Sequence, residues 1–209
     1  MAQQARAVRT RRSILEAAAS VFEELGYEGT STTEILARSG LTRGALYHHF
    51  PGKRALADAL MELQEEALIL PDNPVRLQAL IDLTLMFAER LRSDVVLRAV
   101  VRLTVEKGSY QTGQNYRGAM VAASTLLSQA LEGGELLPTV DPDELAFLLQ
   151  GIFTGTQILS QAVNDRADLP QRISVMWRLL LPSIAHPRFL PGLSIDPDRG
   201  RTLLESQPA

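Results

Sequence analysis

The sequence predicts an all-α protein on three observations. Apolar residues recur at helical spacing nearly throughout, no segment shows the β-branched alternation of a strand, and capping or stop residues bracket the apolar runs. The 209 residues suggest one or two domains at roughly 150 residues each, enough chain to bury a sizeable core.

The elements follow in order. Ile14, Ala18, Val21/Phe22 and Leu25 form one stripe of an amphipathic helix that Gly26 ends. Ser31-Thr32-Thr33-Glu34 is a capping box, in which the serine hydroxyl satisfies an early backbone N–H and Glu34 reaches back. The short helix it opens runs to Ser39, and Gly40 stops it. Thr42 caps a third helix to about Phe50, with Pro51-Gly52 as its exit, and a fourth runs from Lys53 to about Leu70. Pro71-Asp72-Asn73-Pro74 marks a break. Further helices are expected over 74–92, 94–107, 114–132, 141–165 and 169–185, with loops at 108–113 and 133–142. Prolines crowd from Pro182 onward, so regular structure is expected to fade into a Pro-rich tail over 186–209.

Composition narrows the function. Apolar residues at 45% and charged residues at 22% match an ordinary globular protein. The absence of cysteine excludes disulfide scaffolds, zinc–thiolate sites, iron–sulfur clusters and thiol catalysis. No apolar run approaches the ~20 residues of a membrane helix, and the first residues lack the apolar core of a signal peptide, so a cytoplasmic location with no membrane partner is expected. The net charge of −3 is unevenly spread. Residues 1–54 carry eight Lys/Arg against five acids, and the remainder carries 13 against 19. A polyanion would be drawn to one end only.

Two short helices joined at Gly40 form a helix-turn-helix pattern, in which the second helix enters the DNA major groove. Leu41, Ala45/Leu46 and Phe50 supply its buried face. Thr42, Arg43, Gly44, Tyr47 and His48 stay outside, where Gly44 permits close approach and Arg43 can fork onto guanine. Thr33, Tyr47, His49 and Lys53 suit phosphate contacts, and Arg9, Arg11 and Arg12 suit an N-terminal arm.

The stretch TRRSILEAAASVFEELGYEGTSTTEILARSGLTRGALYHHFPGKRALADAL resembles the DNA-binding domain of the TetR family of repressors over about residues 8–60. The resemblance implies DNA contacts from Thr32, Thr33, Thr42, Arg43, Gly44, Tyr47, His48, His49 and Lys53, with Leu46 and Phe50 in the core. Arg43 stands where many relatives carry lysine or glutamine, and His48 where a large aromatic is usual. The later stretches ALMELQEEA, PVRLQALIDLTLMFAERLRSDVVLRAVVRLT, GELLP and FTGTQILSQAVND resemble the γ-butyrolactone autoregulator receptors of antibiotic-producing actinomycetes. In those receptors a tryptophan stacks over the lactone. Its place falls at Ala119 here, so the stacking group is missing unless Tyr116 replaces it. An aromatic contact of this kind is worth ~0.5–1.5 kcal/mol beyond its area. Its loss would weaken a small lactone or open room for a bulkier ligand.

Helix positions and the resemblance together nominate Gln64, Phe87, Val101, Thr104, Met120, Thr154, Gln157 and Trp177 as effector-binding residues, an apolar set with few polar groups. Each Thr or Gln can equally satisfy its own helix. Leu145, Leu148/Leu149, Ile152, Leu159 and Val163 form stripes that suit a four-helix dimer interface, intrachain core, or both. Dimerisation is expected because one short helix reads few base pairs, whereas two half-sites ~34–36 Å apart make a palindromic operator.

Nothing supports an enzyme, a cofactor or a metal. G-x-S-x-G, P-loop and H-E-x-x-H motifs are absent. His48 and His49 point about 100° apart on a helix, and Asp141, Asp143 and Glu144 suit a helix start. A ligand-independent architectural DNA-binding protein is the other alternative, and the acidic C-terminal part argues against it. The expected plan is therefore an all-α protein with an N-terminal three-helix helix-turn-helix domain plus a C-terminal helical ligand-binding and dimerisation domain. The DNA-binding domain spans 1–52, with a linker helix at 53–70, and the effector-binding and dimerisation domain spans 71–185. Effector contact at Gln64 would pull the linker helix and release a homodimeric repressor from its operator, the effector being γ-butyrolactone-like or antibiotic-like.

Overall fold

Several helices begin at a residue whose side chain accepts one of their orphan N–H groups. In the computed structural model, Ser31 Oγ accepts from Glu34 N at 3.1 Å, Thr42 Oγ1 from Ala45 N at 3.2 Å and Asp94 Oδ1 from Leu97 N at 3.0 Å. Described are residues 2–66, 71–106, 110 and 117–206, without the side chains of 2–5, 64–66 and 117. The helices are α1 (Ala2–Gly29), α2 (Thr32–Ser39), α3 (Arg43–His49), α4 (Lys53–Glu66), α5 (Arg76–Ser93), α6 (Val95–Val105), α7 (Arg117–Glu132), α8 (Pro142–Asn164), α9 (Leu169–Ile184) and α10 (Arg199–Glu205). The fold is all-α. Among the described residues the extended pairing is one isolated antiparallel bridge, Leu136 to Ala185. The expected loop at 108–113 lies outside the described residues except for Tyr110.

The chain divides into two compact units, residues 1–69 with 94–115 and residues 70–93 with 116–209. In the first, Ile14, Ala18, Val21 and Phe22 of α1 are buried with Ile35, Leu46, Phe50, Leu56 and Leu60, while Leu25, expected in the same stripe, is exposed beside the break at Gly26. The arm expected at Arg9, Arg11 and Arg12 is instead the start of α1, because the Ala-, Gln- and Arg-rich stretch before Ile14 has high helix propensity. Helix α6 belongs to this unit and buries Ala99, Val100 and Leu103 in the same core. Its sequence position suggested the C-terminal part, since an apolar stripe does not say which partner it meets.

In the second unit, α5 packs against α7, α9 and α10, and α8 packs against α7 and α9. The GELLP stretch serves this packing. Glu135 is buried, and its carboxylate accepts Arg76 N at 3.0 Å and Leu77 N at 2.7 Å, so it caps the start of α5 from across the unit.

The fading tail expected at 186–209 is not what the structure holds. A 3₁₀ turn forms at Leu190–Gly192, and helix α10 packs against α5. Gln78 receives Ser194 N at 2.7 Å and donates to Ser194 O at 2.9 Å. Asp82, 1% exposed, takes both Nε and an Nη of Arg199, at 2.5 and 2.9 Å. A Cβ on Gly200 would sit 2.3 Å from the carbonyl oxygen of Leu85, so only glycine permits this approach. The prolines end regular structure locally, but the segment between them docks through partners more than a hundred residues away.

Removing one partner of a buried ion pair typically costs ~3–5 kcal/mol. The Arg199 side chain is 30% exposed, so Arg199→Ala is expected to destabilise the protein by about 2–3 kcal/mol. Gly200→Ala should also lower the midpoint in chemical denaturation. Unchanged midpoints for both would show that the segment is not anchored on α5.

Candidate nucleic-acid interface and effector region

The turn between α2 and α3 fixes which side of α3 faces outward. Gly40 ends α2 in the left-handed conformation (φ 66°) with its N–H on Leu36 O, and Thr42 then caps α3. Leu46 and Phe50 are buried, which leaves Thr42, Arg43, Gly44, Tyr47 and His48 exposed. The outward residues are organised. Thr32 Oγ1 lies 3.3 Å from Tyr47 Oη, and the Arg43 guanidinium lies 5.5 Å from the Tyr47 ring centroid. The hydrogen bond to Thr32, then the Arg43 charge, holds the Tyr47 phenol below the ordinary tyrosine value. Thr33 is exposed, and His49 is half-buried with its ring edge-on to His48 at 5.2 Å. Nothing crowds Gly44.

Lys53 also has a contact inside the unit. Its Nζ donates to Tyr27 O at 2.7 Å and lies 4.3 Å from the Tyr27 ring centroid, so its ammonium has an internal partner at the end of α1. Arg38 likewise ties α2 to α1, through Ser20 Oγ at 2.9 Å and Glu24 at 2.8 Å. The presented face thus centres on Thr32, Thr33, Thr42, Arg43, Gly44, Tyr47 and His48, with cationic α1 residues Arg6 and Arg9 also exposed.

The expected effector residues divide between the units. Val101 and Thr104 are half-buried on α6 in the first unit, and Thr104 donates to Val100 O in its own helix. The Gln64 side chain lies outside the described residues. In the second unit, Phe87 meets Phe153 edge-to-face at 5.5 Å. Trp177, fully buried, donates from Nε1 to Thr84 Oγ1 at 2.8 Å. Thr154 accepts from Gln150 Nε2 one turn away, and buried Gln157 accepts from Arg166 Nε at 3.3 Å. Met120 is half-buried on α7. Ala119 is exposed in the first turn of α7, and Tyr116 lies outside the described residues. Phe153 and Thr84 escaped the sequence reading, though both follow the helical spacing of residues that it named.

Helices α8 and α9 leave an apolar face uncovered. Phe147 is 70% exposed, Leu159 and Val163 similarly so, and Leu179 is 69% exposed, with Leu148, Ile158 and Val175 beside them. The stripe read from the sequence is split: Leu145 and Leu149 are core, while Leu148, Leu159 and Val163 face out. At the start of α8 the acidic cluster is a cap, in which Asp141 Oδ1 accepts Asp143 N and Glu144 N at 2.9 and 3.0 Å.

Residues 14–60 match the model of the bacterial regulatory proteins, tetR family, and residues 75–186 match the tetracyclin repressor-like C-terminal domain. The chain is 44% identical over 188 residues to the A-factor receptor protein of Streptomyces griseus, covering 90% of this chain and 68% of that one. Its fold is similar to full-length native TylP, a TetR regulator from Streptomyces fradiae, with TM-score 0.84, 43% identity, and 96% and 98% of the two chains covered. It is also similar to a γ-butyrolactone receptor described as ArpA-like, with TM-score 0.76, 27% identity, and 96% and 99% covered.

An alkaline absorbance titration should show one phenol deprotonating below the ordinary tyrosine value of about 10. Tyr47→Phe should remove that step, and Thr32→Ala should move it upward. Survival of the low step in Tyr47→Phe would show that Thr32 and Arg43 do not hold the phenol.

Proposed function

Because the chain belongs to the tetR family of bacterial regulatory proteins, we propose that it is a homodimeric repressor released from a palindromic operator by a small γ-butyrolactone-like effector. The observation that carries the DNA-binding half of this reading is the outward face of α3. There Arg43 and Tyr47, with Thr32 of α2, form one contact group, and the opposite side of α3 is locked in the core. Arg43 reads a base edge, Gly44 admits the phosphodiester backbone, and Thr33 and Tyr47 fix register on phosphates. The uncovered apolar face of α8 and α9 is the surface through which two copies pair. Pairing places two recognition helices on two half-sites.

The effector half rests on the likeness to a γ-butyrolactone receptor and on the interior of the second unit. Phe87, Phe153 and Trp177 supply apolar walls, and Thr154 supplies a hydroxyl for a carbonyl or hydroxyl group. Release needs only a difference in affinity between two states. A 100-fold preference, ~2.7 kcal/mol, empties most of the operator. By the same likeness, the regulated genes are those of secondary-metabolite production. A second reading, a relative that senses an antibiotic or biosynthetic intermediate, is favoured by one observation: exposed Ala119 offers no aromatic surface to stack on a lactone.

The test starts from a duplex selected in vitro by the purified protein and followed by fluorescence anisotropy. A synthetic γ-butyrolactone should release it at sub-micromolar levels. Release only by an organic culture extract would favour the second reading, and release by neither would overturn effector control. Arg43→Ala should weaken the selected duplex by ~1–3 kcal/mol and relax base preference at one position in each half-site. Unchanged affinity would remove Arg43 from the reading face.

A further inference from the structure

Four residues at four-residue intervals, Arg98, Arg102, Glu106 and Tyr110, run from α6 into the segment after it and converge on the end of α1. Arg98 pairs with Glu23 through Nε and an Nη. Arg102 Nη donates to Glu23 O at 2.6 Å and Glu24 O at 3.1 Å. These carbonyls belong to the last turn before α1 breaks at Gly26, where a helix has no partners of its own for them. Glu106 accepts Tyr27 N at 2.7 Å, the first amide past the break, and its carboxylate fills the space that a Cβ on Gly26 would need. Tyr110 stacks on Tyr27 with ring centroids 4.8 Å apart and donates to Asp58 of α4 at 2.9 Å. The end of α1 is therefore finished by α6 rather than by its own cap, and the chain runs from that end directly into α2 and α3.

We propose that Arg98, Arg102, Glu106 and Tyr110 are positioning residues for operator binding, fixing α6 to α1 so that the DNA-binding helices and α6 move as one body. This inference rests on the reading of the protein as a dimer on two half-sites. Helix α6 follows α5 at the junction of Ser93 and Asp94, so its contacts with α1 give the dimerising half of the chain a second hold on the reading helices, beside the chain path through α4. With α6 fixed to α1, the half-site spacing is held at both routes. With these polar contacts broken, α6 keeps only its apolar packing through Ala99, Val100 and Leu103, and each reading helix gains angular freedom without losing its own contacts.

The test uses the full chain, the selected palindrome, the same palindrome with one base pair added or removed between half-sites, and a single half-site. Two linked sites lose their joint advantage when geometry forbids simultaneous engagement, so the wild type should bind the altered spacings about tenfold or more weaker. Glu23→Arg and Arg98→Glu should each flatten that discrimination to about threefold or less. Single-half-site affinity should stay within about twofold. The double swap Glu23→Arg/Arg98→Glu should restore the discrimination, which a general loss of stability would not do. Arg102→Gln and Tyr110→Phe, milder changes, should fall between, and thermal melting tracks folding throughout. Full spacing discrimination in the variants, or equal loss on the single half-site, would overturn the inference. A wild type that retains no duplex would overturn the DNA-binding reading and this inference with it, a result visible before any variant is made.

Discussion

How α1 ends decides what the rest of the first unit can do. Helical geometry stops at Gly26 (φ 70°, ψ −178°), which leaves carbonyls behind it and an amide ahead of it without helical partners. The vacant positions are filled from four directions: Thr30 Oγ1 donates to Gly26 O at 2.6 Å, Lys53 to Tyr27 O, Arg102 to the carbonyls of Glu23 and Glu24, and Glu106 accepts Tyr27 N. Any residue larger than glycine would strain the left-handed backbone and collide with the Glu106 carboxylate. Stacked Phe22, Tyr27 and Tyr110 then form an apolar wall behind these polar contacts. Because α2 begins a few residues later, the path of the chain into α2 starts here, and the turn at Gly40 then sets which way Arg43 and Tyr47 point.

The second unit solves a similar problem around α5. Most of that helix is buried, including two polar side chains, and buried polar groups need partners. Glu135 caps its start, Gln78 pairs with the backbone of Ser194, and Asp82 pairs with Arg199. A helix held at its start and along its length presents Thr84 and Phe87 in fixed positions toward Trp177 and Phe153.

Most local structure was legible because its causes are local. The caps at Ser31, Thr42 and Asp141 and the stop at Gly40 are written in residues a few positions apart, and the outward face of α3 follows from Leu46 and Phe50 being apolar. What was not legible depends on partners distant in sequence. The proline-rich stretch after Ile184 reads as irregular until Gln78 and Asp82 are seen to receive it. The α6 stripe has the same period whichever unit buries it, and its allegiance is shown by Glu23 and Glu24, some 75 residues earlier. That Lys53 also holds the carbonyl of Tyr27 depends on a residue 26 positions earlier. The exposed half of the α8 stripe was ambiguous because a face for a second copy and a face for the core obey the same spacing.

Helix α6 belongs to the same compact unit as α1, α2 and α3. Hydrogen exchange on the full-length protein, free and bound to its selected duplex, measures this directly, because amides of one cooperative body slow together. Slower exchange for Leu97–Leu103 in step with Ile14–Phe22 on duplex binding, while Leu80–Leu91 of α5 changes little, is the predicted result. Exchange in α6 that stays unchanged with α5 while α1 slows would contradict it.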